Sequence, residues 1–283
     1  MFKRYLKYLL VLSIALGVGL FGLLFSHNMN VNDAGLSLLG WVKKAKGNAV
    51  DVEEVYQVYS SPIDHSLWTV LLQEHVDESG DVDYEGFLKE KSRLEDYLKL
   101  ISEHPPSKTW SDEVELAYWI NAYNAFTIKL ILNHYPLESI KDISDGLPMI
   151  NSPWDIKFFN IGDIPFDLNT IEHDILRKRF NEPRIHFAIN CASISCPVLL
   201  NVAYESEHLD RQLEEQTAGF INDSSKNMIT EDVMRLSLLF SWFKSDFTKE
   251  EGLFSFLQKY RANLKLKNQI EYMDYNWGLN IKR

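Results

Sequence analysis

Both cysteines of the chain, a histidine and an asparagine crowd one short stretch. From Arg184 to Pro197 it reads Arg-Ile-His-Phe-Ala-Ile-Asn-Cys-Ala-Ser-Ile-Ser-Cys-Pro, and Cys191 and Cys196 are the chain's only cysteines. The alternation predicts a strand from Arg184 to Asn190, with Phe187 and Ile189 facing the core and His186, Ala188 and Asn190 on the other face. Cys191 does not share that face, so bringing it to His186 requires a bulge or turn directly after Asn190. Three readings of the sulfurs follow. Cys191 is a thiolate nucleophile with His186 as its base, Cys196 in reserve and Asn190 and Ser193 as supporting groups. Alternatively the two sulfurs form a disulfide, as an oxidising compartment favours. In the third reading both are buried thiols packed as small hydrophobes. Residue types leave all three open.

A second cluster is Asn121 and Asn124, three apart and therefore neighbours on one helix face. An unsatisfied buried amide costs about 1–3 kcal/mol, so both need partners. These are backbone groups of a nearby loop or, in a thiol enzyme, His186 and a developing oxyanion. Glu115 lies on another face and is expected to pair with Arg184 or an orphan backbone group. The third cluster, Glu172-His173, opens a helix but lacks the second ligand that H-E-x-x-H supplies, so His173 is read as packed and hydrogen-bonded. No zinc spacing arises from eight histidines and two cysteines. The expectation is no metal and no cofactor. Walker A, dinucleotide, G-x-S-x-G and kinase signatures are also missing, which disfavours nucleotide-dependent and serine-hydrolase readings.

These groups need a scaffold. The segment from about Asp112 to Tyr135 is apolar nearly all round (Val114, Leu116, Trp119, Ile120, Phe126, Ile128, Ile131), which predicts a central helix buried on most sides. Before it, Leu67 to Leu72 and Phe87 to Ile101 recur at helical spacing, with a polar turn from Val76 to Tyr84 between them. That turn has Val82 where a calcium loop needs its glycine. After it, Trp154 to Ile161 and Ile164 to Phe166 flank Gly162-Asp163 as a hairpin. Asp167 starts a helix through Leu176, and Ser206 caps another through Phe220. Met228 to Thr230 and Val233 to Ser237 form a second hairpin, then come short helices and a last strand, Ile270 to Tyr275. Helices first and strands interspersed later predict an α+β fold, with the central helix on a small, mainly antiparallel sheet.

Taken together, the blocks resemble a family known as domain of unknown function 547. They are Tyr118-Trp-Ile-Asn-Ala-Tyr-Asn-Ala125, Ile171-Glu-His173 with Leu176-Arg177, Ile185 to Ser193 with Ser195-Cys-Pro197, and Tyr275-Asn-Trp277 with Leu279-Asn280. The likeness runs from about Leu67 to Asn280. It departs at Val198, where a second proline is expected. The resemblance implies a bacterial protein whose relatives often carry a signal or anchor sequence, and it supplies no mechanism. A buried helix followed by a His-bearing strand is similar in outline to papain-like and transglutaminase-like folds. There the cysteine opens the central helix; here that helix carries Asn121 and Asn124. The likeness is at the level of fold only.

The N-terminus predicts location. Lys3, Arg4 and Lys7 precede an uncharged run from Tyr8 to Phe25, long enough to span a bilayer core, with no small-residue cleavage pattern after it. The positive-inside rule then keeps the N-terminus cytoplasmic and puts the body outside. The expected organisation is an anchor over 1–26, a linker over 27–61 and one domain over 62–283, in a single-pass protein of the bacterial inner membrane. Three of the 29 basic residues lie in the anchor, leaving 26 basic against 40 acidic, or −14, for the body. Such a balance argues against nucleic acid as a partner. Two functions remain. One is a thiol-dependent hydrolase or acyl transferase using Cys191 and His186, with Asn121 or Asn124 assisting. The other is a non-catalytic envelope module binding a peptide, glycan or small molecule in the same cleft.

Overall fold

A computed structural model describes residues 50–144, 152–230, 233–249, 252–262, 264 and 270–282. The expected membrane run and the expected linker up to residue 49 lie outside them. Among the described residues no helix is long and apolar enough to cross a membrane. Residues from Val50 onward pack as one unit. Val55 and Tyr56 are already buried in it.

Four helices come first: α1 (Ser66–His75), α2 (Tyr84–Lys89), α3 (Lys91–Glu103) and α4 (Asp112–Leu132). Ser111 caps α4 by accepting from the Val114 N–H, and Asp112, Glu113 and Glu115 complement its N-terminal dipole. Only Asp112, Glu113, Val114 and Lys129 of this helix escape burial, so it is the central helix that its sequence predicts. The antiparallel hairpin β1 (Phe159–Ile161) and β2 (Ile164–Phe166) lies against it. Phe126 stacks on Phe159 with ring centres 3.7 Å apart, and Trp119 meets Phe166 at 5.8 Å.

Two departures from regular helix follow. Thr170–Leu176 is a π-helix that runs into a short α5 (Arg177–Arg179), its start tied by the Thr170 N–H to Asp167 Oδ1 at 2.7 Å. Such wide turns mark functional sites often. Pro183–Phe187 is a 3₁₀ turn, which corrects the strand expected at Arg184 to Asn190. The alternation there is misleading because Ile185, His186, Phe187, Ala188, Ile189 and Asn190 are all buried. Ile185 enters the main core, whereas Phe187 enters a second cluster with Phe220, Phe240, Phe247 and Phe256. Pro183 fits the first position of a helical turn.

The second cluster is closed by α6 (Leu209–Asn222), α7 (Leu239–Trp242), α8 (Lys244–Thr248) and α9 (Leu253–Tyr260). His208, not Ser206, precedes α6 as its cap residue, without a side-chain bond. The strands β3 (Met228–Ile229), β4 (Met234–Ser237) and β5 (Ile270–Met273) form a mixed sheet, β3 antiparallel and β5 parallel to β4. The fold is α+β.

Candidate functional site

The seam between the two apolar clusters holds a cavity of about 200 Å³. Its rings are Tyr123 from α4, Trp154, Trp242 from α7, Phe243, Tyr275 and Trp277, and its polar groups include Glu172, His173, His186 and the pair Cys191 and Cys196. Trp277 organises the rings, lying 5.7 Å from both Trp154 and Trp242 and 4.5 Å from Tyr275 between centres. Lys141 Nζ sits 3.8 Å over its face.

The π-helix turns Glu172 inward, where the Tyr123 hydroxyl donates to its Oε2 at 3.3 Å. Burial pushes its carboxyl up to about 7, against the opposing pull of Arg177 and Tyr123. It is therefore largely protonated in mildly acidic solution, an acid held neutral among rings. His186 is fully packed, stacked 3.9 Å from Phe243. Burial lowers its imidazole to about 4, so the ring is neutral. Its Nε2 donates to Asp246 Oδ2 at 2.9 Å, leaving Nδ1 as a buried acceptor with no partner among the described residues. Arg177 donates to the same carboxylate from Nε at 2.6 Å and to His173 Nδ1 from Nη1 at 2.8 Å. Burial works against the Asp246 charge, but hydrogen bonds from His186 and Arg177 hold its carboxyl well below the usual range.

Cys191 and Cys196 are joined by a disulfide, Cα atoms 6.3 Å apart. The structure thus holds the sulfurs as in the second of the three readings, and the His186 imidazole is bonded to Asp246. The loop between them is clipped by Asn190, whose Oδ1 accepts from Ala192 N–H at 2.7 Å while Nδ2 donates to the Pro197 carbonyl at 2.7 Å. Asn124 in turn accepts from the Asn190 N–H at 2.8 Å and donates to the Ala188 carbonyl at 3.0 Å. Asn121 does the same for Tyr204, accepting from its N–H at 2.9 Å and donating to its carbonyl at 2.8 Å. Both amides thus bond loop backbone, the structural alternative, and neither lines the cavity. Glu115 takes hydrogen bonds from Tyr56 and Arg179; Arg184 pairs with Glu182, Asp210 and Glu214, contrary to expectation. Ser193 is buried and donates to Cys196 Sγ at 3.2 Å.

Glu172, His173, His186, Cys191 and Cys196 therefore converge, with Asn190, Ser193 and Asn124 supporting the cysteine loop from behind. Sequence reasoning passed over Asp246, Tyr123, Trp154 and Trp242. Tyr123, Tyr275 and Trp277 had a signal, since they sit in the first and closing blocks of the family likeness; Asp246 had none. A larger hollow of about 340 Å³ on the other side of Asp246 is walled by Arg184 and its carboxylates, already neutralised. Among the described residues one set of groups has ligand atoms close enough for a metal ion, Glu74, His75 and Glu90, within 4.8 Å of one another. The Arg93 guanidinium already bridges both glutamates, and none of the three lines the cavity.

Fold and site together define an α+β protein with an aromatic cavity set against a disulfide loop. Residues 107–221 match the family described as "Protein of unknown function, DUF547". The match supports the likeness seen in the sequence and includes the central helix, the π-helix and the disulfide loop; Asp246, Tyr275 and Trp277 lie beyond it. No curated protein and no solved structure matches the chain.

Proposed function

We propose that this protein is an envelope module that binds one uncharged ring, the terminal sugar of a glycan, in the cavity between the two clusters. The observation that carries the reading is a carboxyl, Glu172, held among the rings of an aromatic wall. Glu172 is neutral at mildly acidic pH. It lines the cavity, and its neutral carboxyl, which accepts from Tyr123, has a proton to give to a ligand hydroxyl. Tryptophan faces suit the apolar C–H face of a pyranose. The cavity volume of about 200 Å³ is below the ~300–1,000 Å³ of drug-sized sites, which favours one ring over a longer segment.

A thiol hydrolase built on Cys191 and His186 would need a free sulfur and an imidazole turned to it, and the disulfide and the Asp246 bond oppose both. The placement outside the cytoplasm is part of the proposal. It is supported by the basic flank and apolar run at the N-terminus and agrees with a disulfide, which an oxidising compartment maintains. Protease added to spheroplasts should then digest the body.

Calorimetric titration with di-N-acetylglucosamine and with a blocked tripeptide tests the ligand class. Saturable heat with the sugar and none with the peptide is expected; the reverse, or no heat with either, contradicts the reading.

A further inference from the structure

The two sulfurs of the disulfide have unequal surroundings. Cys191 is partly exposed at the cavity, whereas Cys196 is 3% exposed. Cys196 Sγ accepts from the Cys191 backbone N–H at 3.0 Å, the Ser193 hydroxyl at 3.2 Å and the Tyr275 hydroxyl at 3.2 Å. The same two hydroxyls lie farther from Cys191 Sγ, at 3.5 and 3.4 Å. The Tyr275 proton goes to Cys196, while Ser193 has one proton to give either to Cys196 or to the Tyr275 oxygen at 3.3 Å, so a charge on Cys196 draws it to the sulfur. A disulfide sulfur is a weak acceptor that gains little from three donors; a thiolate gains much more. Burial pushes the Tyr275 phenol up to about 12, so it keeps its proton at neutral pH.

We infer that Cys191–Cys196 is a thiol–disulfide exchange centre, in which Cys191 is the sulfur attacked and Cys196 the sulfur that leaves. The co-reactant is an external thiol, of a small molecule or of a protein. Its thiolate attacks Cys191 Sγ; a bond forms between those two sulfurs, the Cys191–Cys196 bond breaks, and its electron pair departs on Cys196 Sγ into the three donors. A second external thiolate attacks the external sulfur of the mixed disulfide, releasing an external disulfide and leaving Cys191 as a thiolate. Two external thiols are thereby oxidised, and their two protons pass to the solvent or to the reduced cysteine pair. Attack from the cavity side matches the exposure of Cys191. Asn190 bonds Ala192 and Pro197 independently of the sulfurs, so the loop keeps its shape when the bond opens. Ala192, between them, holds φ 58°, a conformation that residues other than glycine rarely adopt and that clusters at functional sites. This centre goes beyond the sugar reading and does not depend on it.

The test equilibrates the detergent-solubilised full chain in mixtures of reduced and oxidised glutathione, quenches with acid and counts alkylated thiols by mass. The bond should open and close reversibly across the mixtures, and Cys196→Ser should accumulate a glutathione adduct on Cys191. Ser193→Ala and Tyr275→Phe should each lower the equilibrium constant for reduction about tenfold, the scale of a hydrogen bond to a charged sulfur. Should Tyr275→Phe fail to fold by circular dichroism, Ser193→Ala, which removes one oxygen, carries the comparison. A bond that stays closed throughout, a Ser193→Ala equilibrium equal to wild type, or an adduct forming as fast on Cys196 in Cys191→Ser overturns the inference. Failure to bind sugar would leave the glutathione equilibrium unchanged, so the two readings fail separately.

Discussion

His186 Nε2 and Asp246 Oδ2 lie 2.9 Å apart although their residues are 60 positions apart in the chain. That bond joins the 3₁₀ turn after Pro183 to α8, fixes the imidazole tautomer and leaves Nδ1 a buried acceptor with no partner among the described residues. Arg177 closes the same carboxylate from the π-helix side.

Removing that carboxylate should be costly. Asp246→Asn leaves Arg177 without its counter-charge, and breaking such a mostly buried pair is expected to destabilise by about 3 kcal/mol in urea unfolding. Asp174→Asn breaks an exposed pair with Lys178 and should change stability by less than about 0.5 kcal/mol. Equal effects would mean that the buried network is not holding the seam together.

Stability should be dome-shaped in pH. His186 has its folded value lowered from 6.5 to about 4 by burial, so its contribution is full above 6.5 and is lost as pH falls towards 4. Glu172 has its folded value raised from 4.5 to about 7 by burial, so its contribution is full below 4.5 and is lost as pH rises through 7. Each limb approaches ~1.4 kcal/mol per pH unit where only one state titrates. Between 4.5 and 6.5 the two opposite slopes offset each other into a plateau, so thermal melts of Glu172→Gln should lose the alkaline limb and show an acidic limb that now climbs up to about 6.5.

The amides of the central helix can be read the same way. Asn124→Ala strands the buried Asn190 N–H and Ala188 carbonyl, and about 3 kcal/mol of destabilisation in urea is expected from two orphaned groups. The glutathione adduct on Cys191 should still form in Cys196→Ser when Asn121→Ala is added, because Asn121 serves Tyr204 and not the cysteine loop.

These particulars show what was legible in the chain and what was not. The central helix announces itself because apolar residues cover every side of it, and only a buried helix tolerates that. The hairpin at Gly162 is equally local, with a glycine at φ 58° in its turn. Glu172, His173, His186 and the two cysteines stand out by residue type, but their partners are distant in sequence and stay hidden there. Nothing near Asp246 in sequence reveals that it faces His186. The polar alternation of His186 and Asn190 imitates a strand because two separate cores take Ile185 and Phe187. Asn121 and Asn124 sit one turn apart and serve two different loops, which spacing cannot disclose.

A thiol count checks the sulfurs directly. Native protein should yield no reactive thiol and reduced, denatured protein two, since both cysteines are bonded. One or two thiols in the native, unreduced protein would return the hydrolase reading to contention.

The ring-binding cavity itself is tested most directly by tryptophan fluorescence during titration with di-N-acetylglucosamine. Wild type and Trp110→Phe, whose altered ring lies away from the cavity, should show the same saturable change. Trp277→Ala, which removes the ring that organises the other aromatics, should lose it. A flat titration in wild type, or an unchanged one in Trp277→Ala, would contradict the account.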